Sequence, residues 1–324
     1  MSDERLLPDF AAVRAAAARI APVLPHTPVM RSHTLDALSG ARLFFKCDHL
    51  QKTGAFKARG AVNAVLGLSD EQAARGVATH SSGNHGAALA WAARLRGIAA
   101  HVVVPANANR AKRANIARYG ARIIDCEPTL VAREAALAAV LAATGANAVP
   151  PYDDARVIAG QGTAALELIE QVGGLDDLVV PVGGGGLLAG SALAARGLDA
   201  AIRVYGAEPS GADDAARSFA AGERLLQTDP RTIADGLRTS LGELNFAIIH
   251  CDVQDIITVT EAEIVAAMRL FWEVCKQLIE PSSATVLAAV LARPGYFAGR
   301  RTGLILSGGN VDLEAPLPWL DAPP

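Results

Sequence analysis

Four turns built from glycine and small polar residues fall close behind short apolar, β-branched runs, and this constrains the chain most. The turns are QKTGAFKARGA (51–61), SSGNHG (81–86), PVGGGGLLAG (181–190) and LSGGN (306–310). Around them, β-rich runs alternate with Ala-rich runs of helical period. Strands are expected at 43–46, 77–80, 101–104, 122–126, 178–182, 203–207, 256–260 and 304–306. Helices are expected at 87–95, 132–143, 161–171 and 262–278. Such alternation predicts an α/β fold with a mostly parallel sheet. Right-handed crossovers then bring the strand C-termini and their loops to one edge, where ligands bind.

Composition excludes several classes. Hydrophobic residues make up 51% of the 324 residues and charged ones 19%, which rules out disorder over most of the length. The length fits one large or two ordinary domains. Thirty basic against 33 acidic residues leave a net charge of −3, with no footprint for nucleic acid or an anionic membrane. The uncharged stretch 178–195 approaches the length of a membrane span but contains Pro181 and four consecutive glycines, so a strand, a turn and a helix explain it better. Cys47, Cys126, Cys251 and Cys275 form no CxxC pair, and the acidic start MSDERLLPDF has no apolar leader core. A cytoplasmic, thiol-bearing protein is expected.

Each turn has a bland and a sharper reading. Lys57 is either a solvated lysine at a helix start or an amine held near an apolar wall, where desolvation makes it nucleophilic. In SSGNHG, Ser81 or Ser82 could cap a helix, but two hydroxyls, an amide and an imidazole in one turn also suit an anion such as a carboxylate. The four glycines 183–186 expose successive N–H groups before a helix and make a phosphate cradle. No Lys-Ser/Thr follows them, which excludes a Walker loop. A rival pattern remains: Gly184, Gly186 and Ala189 satisfy G-x-G-x-x-A, and Glu208 lies 24 residues beyond Gly184, as in a dinucleotide fingerprint. Ser307 would present its hydroxyl from a strand end.

Taken together, the four segments resemble the fold-type II pyridoxal-phosphate enzymes, in the serine/threonine dehydratase and serine racemase group. HTPVMRS, VIAGQGTAALE, AEPSGADDA, TIADGLRTSLGELNF, IEPSSA and SGGNVDL extend the resemblance over nearly the whole chain. It implies two open twisted-sheet domains of the tryptophan synthase β type, with the cofactor in the cleft between them. The large domain would comprise 1–75 and 151–324, and a small mobile domain 76–150. A homodimer is also implied. Because the chain stops shortly after SGGN, the regulatory domain of long-form threonine dehydratases is not expected.

The resemblance also implies roles. Lys57 resembles the lysine that bonds the cofactor, and Phe56 the residue against its ring. Gly183, Gly184, Gly185, Gly186 and Leu187 resemble the phosphate cup, with Gly236 and Glu280 as further cofactor contacts. Asn84 resembles the partner of the cofactor's 3′-oxygen, and Ser307 that of the pyridine nitrogen. Ser81, Asn84 and His85 resemble a clamp for the substrate α-carboxylate. Glu208, the carbonyl of Ala212, and Asp214 resemble a divalent cation site, for which hard oxygen ligands suit Mg²⁺, Mn²⁺ or Ca²⁺.

The implied reaction is β-elimination of water from a 3-hydroxy amino acid, giving a keto acid and ammonia. Ser82 matches a second proton-transfer residue in racemase-like members. Arg133 matches an arginine suited to a distal carboxylate such as that of 3-hydroxyaspartate. Thr239 is expected in the same pocket. Tyr152 stands where the animal racemases carry a smaller polar residue. Tyr119 and Lys276 match positions near a nucleotide site. The favoured substrates are 3-hydroxyaspartate or serine over threonine; serine or aspartate racemisation with side elimination is the alternative.

Overall fold

The apolar run at 178–180 lies mid-sheet, as a continuous hydrophobic strand should in a parallel sheet covered on both faces. The computed structural model describes residues 7–81, 83–108 and 110–312. Its strands are β1 Val29–Met30, β2 Arg42–Lys46, β3 Val77–His80, β4 Ala100–Pro105, β5 Arg122–Cys126, β6 Asn147–Ala148, β7 Asp177–Pro181, β8 Arg203–Pro209, β9 Asp255–Val259 and β10 Arg301–Ile305. They form a six-stranded sheet in the order β1-β2-β10-β7-β8-β9 and a four-stranded sheet in the order β5-β4-β3-β6. Every pairing is parallel except β1 with β2. The smaller sheet takes its strands from 77–148, and the larger one from either side of that stretch.

The eight expected strands are present within a few residues at their ends. The two-residue strands β1 and β6 were not anticipated, because two residues carry no periodicity. The helix expected at 161–171 starts at Ala155, because Asp154 caps it by accepting from Arg156 N and Val157 N. The helix expected at 262–278 stops at Cys275, where Lys276 turns left-handed with φ 56°. The helix expected at 87–95 begins at Asn84, so the end of SSGNHG is the helix's first turn rather than a preceding loop.

Two helices set the geometry around Lys57. Lys57–Leu66 crosses Ala155–Val172 with backbones almost touching: a Cβ on Gly160 would lie 2.6 Å from Gly60 Cα. Gly60 N–H donates to Gln161 Oε1 at 3.1 Å, and Asn63 Nδ2 donates to the Arg156 carbonyl at 2.6 Å. Beside the crossing lies a buried ion cluster. Arg59 bonds both oxygens of Asp48 (2.6 and 2.8 Å) and both of Glu167 (2.6 and 2.9 Å). Lys46 completes it at 2.7 Å from Glu167. Two cations balance two anions, so no net charge is left in the interior.

Candidate active site

The end of β10 and the lysine segment are stitched together. Ala55 and Gly308 form a β-bridge, and Phe56 N–H donates to the Ser307 carbonyl at 2.9 Å. Lys57 therefore opens its helix next to the SGGN turn. Its amine lies 5.0 Å from the Phe56 ring centroid and donates to the Pro151 carbonyl at 2.7 Å. Burial pushes the amine down from its ordinary value to about 8, with the Glu280 carboxylate pulling the other way. Lys57 is half-buried, and its amine lies beside the Phe56 ring rather than out in solvent. Ser307 is buried, with its hydroxyl 3.1 Å from that of Ser283.

Glycines 183–186 link β7 to the helix Gly186–Leu198. Side chains are excluded there. A Cβ on Gly183 would lie 2.8 Å from Leu237 Cα, on Gly184 2.3 Å from the Tyr152 ring, and on Gly185 2.6 Å from Leu241. Gly185 also has φ 91°, which L side chains avoid. The first N–H groups of a helix lack intrahelical acceptors, so Gly186 and Leu187 offer donors to an anion. Gly236 lies beyond this loop, next to Leu237, and donates its N–H to Ser282 Oγ at 3.2 Å.

The SSGNHG turn follows β3. Ser81 Oγ accepts from Gly83 N–H at 3.4 Å, and Ser82 lies outside the described residues. Asn84 Nδ2 donates to Glu280 at 2.9 and 3.2 Å, and Asn84 Oδ1 accepts from Asn310 Nδ2 at 2.9 Å. Asn310 N–H also donates to Glu280 at 3.2 Å. This joins SSGNHG, Glu280 and the SGGN turn. His85 is buried, and its Nε2 lies 3.0 Å from the Val149 carbonyl. A carbonyl only accepts, so Nε2 carries the proton. Burial, then the nearby Lys57 charge, push the ring down to about 3, so it is neutral at working pH. With that proton committed, His85 can offer a carboxylate its backbone N–H rather than its ring.

Arg133 is half-buried on the helix Leu130–Thr144, where its Nε donates to the Thr129 carbonyl at 3.4 Å. After burial, its charge is the next cause lowering the pKa of His80, the last residue of β3, and Ser81 follows directly. Thr239 is exposed in the turn between Leu237 and Leu241, the two residues against Gly183 and Gly185. Glu208 ends up buried near the tip of β8 and accepts from Ala215 N–H and Ala216 N–H at 3.0 and 2.8 Å. Each carboxylate oxygen keeps a further lone pair beside these bonds. Asp214 Oδ2 accepts from Leu241 N–H at 2.7 Å, while Oδ1 is buried without a partner. Burial raises both carboxyls, Asp214 to about 6. With Ala212 also buried between them in sequence, this acid pair fits a cation, although no cluster of three or more His, Cys, Asp or Glu occurs among the described residues.

The glycine cradle, its helix N-terminus and the enclosed lysine fit an aldehyde cofactor carrying a phosphate. The class they define is that of pyridoxal-phosphate enzymes. The family model described as "Pyridoxal-phosphate dependent enzyme" matches residues 20–308, and the chain belongs to that family. Over 313 residues it is 51% identical to the beta-hydroxyaspartate dehydratase of Paracoccus denitrificans, covering 97% of this chain and 99% of that one. It is 49% identical to the serine racemase of Arabidopsis thaliana, covering 96% and 95%. Maize serine racemase superposes with a TM-score of 0.94 at 46% identity, covering 95% of each chain.

Sequence reasoning did not find Pro151, Ser283 or Asn310 as site neighbours. A proline carbonyl has no residue signature, and Asn310 is 226 residues from the Asn84 it bonds. Asn310 does sit inside SGGN, so its motif was its one available signal.

Proposed function

We propose that this chain is a pyridoxal-phosphate-dependent ammonia-lyase that eliminates water from a 3-hydroxy amino acid, with 3-hydroxyaspartate favoured. The observation that carries it is the Lys57 amine, lowered to about 8 and bonded to the Pro151 carbonyl, in a segment whose Val149 carbonyl bonds His85 of SSGNHG and whose Tyr152 ring lies against Gly184 of the glycine cradle. Gly183 to Leu187 hold the phosphate, with Gly236 beside them, and Phe56 flanks the ring. Asn84 and Glu280 serve its oxygen edge, and Ser307 offers the pyridine nitrogen a neutral hydroxyl. When bound, the cofactor supplies an electron sink that acidifies the Cα–H of an attached amino acid. Lys57 moves the proton at Cα. Ser81, Asn84 and the His85 N–H bind the α-carboxylate, Arg133 takes the distal carboxylate, and Thr239 serves the same substrate.

The relative named a beta-hydroxyaspartate dehydratase supports this substrate class, whereas the serine racemases support a second reading in which Ser82 moves a proton on the opposite face. The units 76–150 and 1–75 with 151–324 act as small and large domains, the small one closing on substrate. Glu208, Ala212 and Asp214 bind a divalent cation. The chain forms a homodimer; exposed Leu50 and Leu278 beside the His49–Gln277 contact support a partner face. A cytoplasmic location agrees with four free cysteines. No helix among the described residues is long and apolar enough to cross a membrane.

Holoenzyme is offered L-serine, L-threonine, L-aspartate and the 3-hydroxyaspartate stereoisomers, and ammonia, keto acid and D-amino acid are measured. Fastest ammonia release is expected from one 3-hydroxyaspartate isomer. D-amino acid forming faster than ammonia overturns the lyase reading in favour of the racemase. Arg133→Ala should cost kcat/KM for 3-hydroxyaspartate roughly ten- to hundredfold, the worth of a charge-assisted bond, and serine much less. Equal loss on both refutes the distal-carboxylate role.

A further inference from the structure

Residues 149–154 form a strap that touches the lysine, the SSGNHG helix and the glycine loop. Val149 O takes the His85 Nε2 proton at 3.0 Å, and Pro151 O takes the Lys57 amine at 2.7 Å. The Tyr152 ring covers Gly184. Asp153 accepts from Glu243 N–H and Leu244 N–H at 3.1 and 3.0 Å, and Asp154 caps the helix crossing at Gly160. The two carbonyls thus hold side chains from two different helices, which pack on each other through one apolar core. His85 belongs to the helix after β3, and Lys57 to the helix that crosses Ala155–Val172.

The segment is stiff by composition. Val149 and Pro150 each precede a proline, which biases both to extended backbone, and the rings fix φ at 150 and 151. The relative position of the two carbonyls therefore has little freedom. His85 is fully committed to one of them: its ring is buried, its single proton goes to Val149, and Nδ1 has no partner among the described residues. An imidazole held near 3 does not charge at any working pH, so this bond does not switch.

We propose that Val149–Pro150–Pro151 is a two-carbonyl clamp and that the His85 ring, by anchoring Val149, is a positioning residue for the Lys57 amine. The clamp rests on the reading of Lys57 as the cofactor-bonding base. The His85 backbone N–H contributes to carboxylate binding separately, and a side-chain substitution leaves it in place.

The test compares His85→Leu with His85→Gln in the holoenzyme. Glutamine puts an amide donor where Nε2 lies; leucine puts none. His85→Leu should lower kcat about ten- to hundredfold, the scale expected for an amine displaced by about 1 Å, with KM within about twofold. His85→Gln should recover most of the loss. A raised KM at preserved kcat, or glutamine as impaired as leucine, overturns the clamp. Should His85→Leu not fold, Pro150→Gly loosens the strap while keeping both carbonyls and the His85 ring. It should lower kcat in the same way, and an unchanged kcat overturns the proposal. Lys57→Ala separates the two readings. If that variant keeps the cofactor's visible band and activity, the lysine assignment itself fails. If it loses both while the His85 and Pro150 variants match wild type, the clamp alone fails.

Discussion

An amine attacks an aldehyde only when unprotonated, and the surroundings of Lys57 bring that form within reach of neutral pH. Burial lowers the amine to about 8 against an ordinary 10.5. The neutral fraction therefore grows as pH rises through about 8 and levels off above it. Covalent uptake of pyridoxal phosphate by the apoenzyme, followed as growth of its visible band, should follow that curve. A rise centred near 10 would mean that Lys57 is solvated when the cofactor arrives. At this scale the sequence was informative about residue type. Lys57, Phe56 and Asn84 were singled out because their motifs are local. The Pro151 carbonyl was not, because it is 94 residues from the lysine it receives.

Between elements, the decisive contacts are glycine crossings and the buried ions. Arg59 lies two residues beyond Lys57 and fastens that helix to Asp48 and to Glu167 of the neighbouring helix. Arg59→Met would leave two buried carboxylates with Lys46 alone. The expected loss is about 3–5 kcal/mol of unfolding free energy, measured by urea denaturation. A loss below about 1 kcal/mol would mean that water enters and screens the cluster. The strand and helix order was legible from alternation, and the glycine run announced its turn. The partners of Gly60 and Gly160 were not, because an ordinary small residue in a helix pattern gives no sign of what it touches. Helix starts at Asn84 and Ala155 also came earlier than apolar periodicity suggested, since polar first turns carry no apolar signal.

Across the whole molecule, the acid pair Glu208 and Asp214 links β8 to the segment that packs on the glycine loop, since Asp214 accepts from Leu241 N–H and Leu241 lies against Gly185. A cation there would stabilise the fold by about 2.7 kcal/mol when present at about a hundred times its Kd. Chelation should lower Tm by several degrees, and added Mg²⁺, Mn²⁺ or Ca²⁺ should restore it. An unchanged Tm removes these residues as ligands. The sequence by itself determined the α/β class and the family motifs, because periodicity and glycine-rich turns are local properties of the chain. The tertiary structure decided which nitrogen of His85 is protonated, that Glu208 accepts from the Ala215 and Ala216 N–H groups, and which carbonyl receives Lys57. Burial and hydrogen-bond partnership are set by residues distant in the chain, and no local pattern carries them.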